Sequence, residues 1–105
     1  MSRFMVSEDV QRLRAFALVV DLGSVSAAAS VLGYTRSAVW QQLAAFEREV
    51  GAALVDRSQH PLRATRAGRM LRPQVEPVLA ALRGADSTLE LSGGRQSGAQ
   101  IRDSR

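Results

Sequence analysis

Two helix signals set almost end to end constrain this chain more than any other feature. Residues 24–33, "SVSAAASVLG", open on a serine and close on a glycine. Residues 35–51, "TRSAVWQQLAAFEREVG", open on a threonine and close on a glycine. A Ser or Thr before an apolar run satisfies free N–H groups of a first turn, and a Gly after it takes the left-handed backbone that ends a helix. The three or four residues between the two helices match a helix-turn-helix connection. Ala28 and Ala29 keep the first of the pair slim enough for close approach. On the second, Val39, Leu43, Phe46 and Val50 form one apolar stripe at helical spacing. The only tryptophan, Trp40, stands off that stripe, among Arg36, Ser37, Gln41 and Ala44.

The flanks extend the pattern. Ser7, followed by Glu8 and Asp9, reads as the cap and acidic first turn of an earlier helix. Its apolar face is Val10, Leu13, Phe16, Ala17 and Val20, and Gly23 ends it. After Gly51, Ala53–Arg57 and Leu62–Thr65 read as short strands joined by a turn holding Gln59, His60 and Pro61. A helix-turn-helix followed by a hairpin is a winged helix, so the fold expected is mainly α: three helices plus a two-stranded wing. Beyond Thr65 the helical period returns. Leu71, Val75, Val78, Leu82, Ala85 and Leu89 trace an a/d heptad seam, the mark of a long linker helix that pairs with another chain. Pro73 and Pro77 should bend or open that helix. The division expected is therefore 1–65 for the winged helix, 66–91 for the linker and dimerisation helix, and 92–105 for a small, polar tail.

Charge narrows the class of partner. All 14 basic side chains are arginine, and net charge is +4. From Arg57 to Arg72 there are five arginines and no acid, whereas the first 56 residues are nearly balanced. A block of planar cationic forks suits phosphates and base edges, so a polyanion partner is expected. There is no cysteine, no apolar run near the ~20 residues of a membrane span, and no apolar core of a signal peptide at the start. We expect a cytoplasmic setting and no membrane partner. One histidine, no Gly-rich phosphate loop and no plausible carboxylate pair argue against an enzyme. His60 has no second ligand near it in sequence, so neither metal nor cofactor is expected.

The residues resemble the LysR-type transcriptional regulators. The matching pieces are "LRAFALVVDLGSVSAAASVLGYTRSAVWQQLAAFEREVGAALVDR" and "LRATRAG", with the linker helix extending the likeness to about Leu91. They hold Gly23-Ser24, Ala28-Ala29, Ser37 to Val39, Gln41 to Leu43, and Glu47 ahead of Gly51. Four positions depart from the family pattern: Trp40 where Ser is usual, Phe46 for Leu, Val55 for Phe, and Ala64 for Leu. The family's full-length members continue into a two-lobed effector-binding domain, whose first strand "SGAQIR" resembles. The expectation for this chain is a DNA-binding region without the sensor, and so without a small-molecule effector.

The resemblance implies sequence-specific binding of double-stranded DNA by a homodimer acting in transcriptional regulation, on a site with pseudo-palindromic symmetry. The third helix would enter the major groove, with Arg36, Ser37, Trp40 and Gln41 as contacts and Gln42 a weaker candidate. Ser24 and Thr35 would cap their helices and touch phosphate. Arg57, Arg63 and Arg66 would flank the wing, although Arg57 has a second reading as an ion-pair partner of Asp56 or Glu49. Arg69 and Arg72 lie further along and read as solvation of the linker helix. For Trp40 two readings stand: packing on a thymine methyl or sugar, or folding back over Tyr34 or the second helix. Its wheel angle, away from Val39 and Leu43, favours the first. Two other functional readings are a domain related to molybdate-responsive regulators, and a truncated regulator that acts by heterodimerisation with a full-length relative.

Overall fold

A computed structural model of the chain describes residues 6–94. Helix α1 spans Val6–Leu22, α2 Val25–Leu32 and α3 Arg36–Val50. Strands β1 (Val55–Asp56) and β2 (Arg63–Ala64) pair antiparallel, Val55 opposite Ala64 and Asp56 opposite Arg63. Then come α4 (Arg66–Leu71), a 3-10 turn over Arg72–Gln74, and α5 (Val75–Gly94). This is the winged helix-turn-helix expected from the sequence, with a helical extension.

The local signals act as capping chemistry requires. Ser24 Oγ accepts from the Ala27 N–H at 3.0 Å, and Thr35 Oγ1 from the Ala38 N–H at 3.0 Å. Thr65 does the same for α4, accepting from the Gly68 N–H at 3.1 Å while its hydroxyl donates to the Ala53 carbonyl. Gly33 and Gly51 end α2 and α3 in the left-handed region. At the α1 start the structure differs: Val6 and Ser7 are already helical, so the serine read as the cap lies within the helix. The strands are shorter than Ala53–Arg57 and Leu62–Thr65 suggest, because the ladder closes over only two residue pairs.

The core forms where α1, α2 and α3 meet. Phe16, Val19, Val39 and Leu43 are fully buried, and the Phe46 ring lies tilted 5.6 Å from that of Phe16. The apolar stripe of α3 therefore holds from Val39 to Phe46, and its last member, Val50, is exposed. A Phe side chain buried completely contributes about 1.5–3 kcal/mol, so Phe16 is a main anchor of α1. Arg12 ties α1 to α3 across the surface, its Nη1 donating to Glu49 Oε2 at 2.7 Å.

Two glycines fix the wing against this core. Gly23 has φ +68°, and its carbonyl accepts from the Leu62 N–H at 2.9 Å. A Cβ there would stand 2.7 Å from that of Pro61, so only glycine lets the wing's return strand lie against the α1–α2 corner. Gly68 is buried, and a Cβ on it would overlap the Leu54 carbonyl oxygen. That close approach sets α4 directly on Leu54, the residue before β1, beside the Thr65 N–H to Leu54 carbonyl hydrogen bond of 3.0 Å.

The seam beyond Thr65 needs correction. Val75 is 1% exposed and Leu79 8%, both within the chain's own core, while Leu71 and Leu82 pack partly against it. Val75 is therefore no member of a free dimer seam: α1 supplies the partner that the heptad pattern assigned to another chain. Val78, 41% exposed, still faces outward, and so does Met70 at 68%. Ala85 and Leu89 fall in α5, but their side chains lie outside the described residues, as does all structure from 95 onward. The helix breaks once, not twice. Pro73 lacks the N–H that would continue α4, whereas Pro77 sits in the first turn of α5, where N–H groups have no helical acceptor.

Candidate nucleic-acid interface

The outer face of α3 and the wing enclose an open cleft. Its α3 wall is Arg36, Ser37, Trp40, Gln41 and Ala44, the same group that the helical wheel placed opposite the core stripe. Ser24 and Ser26 close one end from α2, and Arg57, His60 and Leu62 close the other from the wing. The cleft thus gathers Ser24, Arg36, Ser37, Trp40, Gln41 and Arg57 from the sequence reading. Thr35, Arg63 and Arg66 lie outside it. Arg63 lines a second groove with Asp21, Pro61 and Arg69. Gln42 turns away and donates to Gln11 Oε1 at 3.2 Å.

The arginines divide by partner. Arg36, Arg63 and Arg66 are exposed and form no ion pair among the described residues. Arg36 makes only a long 3.5 Å hydrogen bond to Ser26 Oγ. These three cations remain available to an anionic partner. Arg57 is held instead. Its Nη2 donates to Glu47 Oε1 at 3.1 Å, and its guanidinium carbon lies 4.9 Å from the centre of the Trp40 ring. The acid that pairs with Arg57 is thus Glu47, not Asp56 or Glu49. Asp56 accepts from the Ser58 N–H and hydroxyl, which hold its carboxyl below the usual range, and Glu49 is engaged by Arg12. Trp40 is half-buried and packs partly on the core. Neither earlier reading of it included the wing arginine that covers one face of its ring.

Glu47 and His60 were not singled out as site residues by sequence. Glu47 Oε2 accepts from the Leu54 and Val55 N–H groups at 2.7 and 3.2 Å while Oε1 takes Arg57. One carboxylate therefore anchors the first wing strand to α3. Its place four residues before Gly51 was the visible signal, but nothing local names its partners. Arg72 also does more than solvate its helix. Its Nε and Nη2 grip Asp21 at 2.8 and 2.6 Å, and its Nη1 reaches Glu76 at 2.9 Å. The hydrogen bond from Arg72 holds the Asp21 carboxyl below its ordinary value.

Residues 10–69 match the family model of bacterial regulatory helix-turn-helix proteins, lysR family. The chain belongs to the lysR family. It is 43% identical over 70 residues to a probable hydrogen peroxide-inducible genes activator of Mycobacterium leprae, covering 67% of this chain and 22% of that protein. It is 36% identical over 90 residues to an uncharacterized HTH-type transcriptional regulator of Azotobacter vinelandii, covering 86% of this chain and 62% of that one. The LysR-family chain thus spans less than two thirds of each relative. Among solved structures it resembles Vibrio fischeri DarR in complex with DNA, with a TM-score of 0.71 and 26% identity over 80% of this chain and 29% of that one. It also resembles the BenM DNA-binding domain in a complex with benA site 1 DNA, with a TM-score of 0.67 and 25% identity, covering 77% of this chain and 94% of that chain. No helix among the described residues is long and apolar enough to cross a membrane.

Proposed function

We propose that this LysR-family chain binds double-stranded DNA sequence-specifically and regulates transcription as a homodimer. The observation that carries the reading is the cleft: polar α3 side chains, the capped start of α2 and the wing arginine Arg57 share one open face. In this role α3 lies in the major groove, which admits a helix. Gln41 is suited to adenine, Arg36 to guanine or phosphate, and Ser37 to either. Arg63 and Arg66, without an ion pair among the described residues, contact phosphate beside the wing, and the amide-rich starts of α2 and α3 at Ser24 and Thr35 do the same. Support comes from the fold shared with two proteins solved on DNA. Nothing in the role calls for a catalysed step, cofactor or effector, and it places the chain in the cytoplasm, where bacterial DNA lies.

Two heads acting together explain how one small interface binds tightly enough to select a site. The dimer surface we propose is the outer side of α4 and α5, with Met70 and Val78 at its described part and Leu71 and Leu82 at its edge. Residues 1–65 then act as the head and 66–91 as the linker. The two meet through Gly68, Val75 and Leu79 rather than through a loose joint. The test is selection from a random DNA pool at physiological salt. Enrichment of two inverted half-sites supports the reading, and a pool that stays random refutes it.

A further inference from the structure

The Trp40 indole stands at a position where this chain's α3 departs from the family pattern, and it is in contact with the wing. Trp40 and Glu47 lie on one side of α3, two turns apart. Arg57 reaches back from the end of β1 between them. Its Nη2 donates to the Glu47 carboxylate at 3.1 Å, and its guanidinium carbon lies over the indole, 4.9 Å from the ring centre. A guanidinium held at edge and face has lost most of its rotational freedom, yet a planar fork with five N–H donors keeps donors to spare. The Glu47 charge is shared with the Leu54 and Val55 N–H groups, so Arg57 is not its only partner. The Arg57 side chain stays 47% exposed at the cleft.

We propose that Trp40 is a positioning residue: it acts on DNA through Arg57, presetting that guanidinium as the wing's contact, and not by its own contact with a base. The proposal rests on the DNA-binding reading above. It assigns the α3 tryptophan a role shared with the wing, because the indole is the floor on which the wing arginine lies. A preset donor loses little freedom on binding, and this raises affinity without adding a contact.

A double-substitution cycle on the selected DNA tests it, read by anisotropy of labelled DNA. Trp40→Ser should weaken binding about 3- to 10-fold, the span of a cation–π contact. Arg57→Ala should weaken it by at least as much, and the double variant should be no weaker than Arg57→Ala within about twofold. Trp40→Phe keeps a ring face and should bind within about threefold of the parent. The bases selected by Trp40→Ser should be those selected by the parent. Independent, multiplying losses, or a changed base preference, would overturn the proposal and return Trp40 to direct readout. A second measurement does not depend on any Trp40 variant folding. Trp40 is the only tryptophan, so its emission without DNA should change on Arg57→Ala; unchanged emission means there is no stack and overturns the proposal. If the parent chain selects no DNA, the underlying reading fails and this one with it. If the parent binds and the two losses multiply, only this one fails.

Discussion

Replacing Gly68 by alanine sets two physical effects against each other. Helix propensity alone favours alanine by up to about 1 kcal/mol. Packing opposes it, because the new methyl would overlap the Leu54 carbonyl oxygen and stand 3.1 Å from the Ala64 Cβ. Neither neighbour is the free end of a long side chain, so α4 must lift from Leu54. Overpacking of this kind costs about 1–3 kcal/mol. Lifting also stretches the Thr65 N–H to Leu54 carbonyl bond of 3.0 Å, a further loss of about 1 kcal/mol. The balance is a destabilisation of about 2 kcal/mol, or about 10 °C in Tm for a domain of this size. Gly84→Ala is the control: it is also helical, but its new Cβ would meet nothing within 4 Å among the described residues, so it should gain up to about 1 kcal/mol. Urea unfolding followed by circular dichroism reads both. A Gly68→Ala midpoint equal to or above the parent's would refute the close approach of α4 to Leu54.

Arg72→Ala should cost about 1 kcal/mol at neutral pH, since the pair it breaks is partly exposed. The folded Asp21 carboxyl is held below its ordinary 3.8, so the pair's contribution is complete above that value and is lost as pH falls through the depressed one. Acid unfolding of Arg72→Ala should therefore lack this part of the parent's decline, and parallel curves would remove Asp21 from the account. Arg36, Arg63 and Arg66, which have no ion pair among the described residues, give about six phosphate contacts in a dimer, hence a log–log salt slope of about −5. Arg63→Ala should bring the slope nearer zero by about 2, as one contact is lost from each chain; an unchanged slope takes Arg63 off the phosphates. Val78→Asp should leave the fold intact and shift sedimentation toward monomer, and a persistent dimer would put the interface elsewhere.

What could be read from the sequence was what neighbours in sequence decide. The caps Ser24 and Thr35, the terminating glycines and the buried stripe from Val39 to Phe46 depend on residues within a turn or two, and they stand as read. Partners far along the chain were not legible. Arg72 pairs with Asp21 across 51 residues and Arg57 with Glu47 across 10, and neither local charge pattern selects between several acids. The seam after Thr65 misled for a related reason. A heptad pattern states that a helix has an apolar face, but not whether the surface facing it is another chain or α1. Val75 and Leu79 belong to α1, and only the outward residues remain for a partner. Trp40 stands off the α3 stripe yet packs partly on the core, and its covering by Arg57 required the wing to fold back, which no spacing within α3 encodes.

In the proposed function the outer face of α3, with the capped start of α2 and the wing, is the DNA surface. Backbone amide shifts of the labelled chain, titrated with its selected DNA, test this most directly. The largest changes should fall at Ser24, Arg36, Ser37, Gln41 and Arg57, with the opposite side around Arg12 and Glu49 little changed. Changes centred on the Arg12–Glu49 side, or none at saturating DNA, would contradict it.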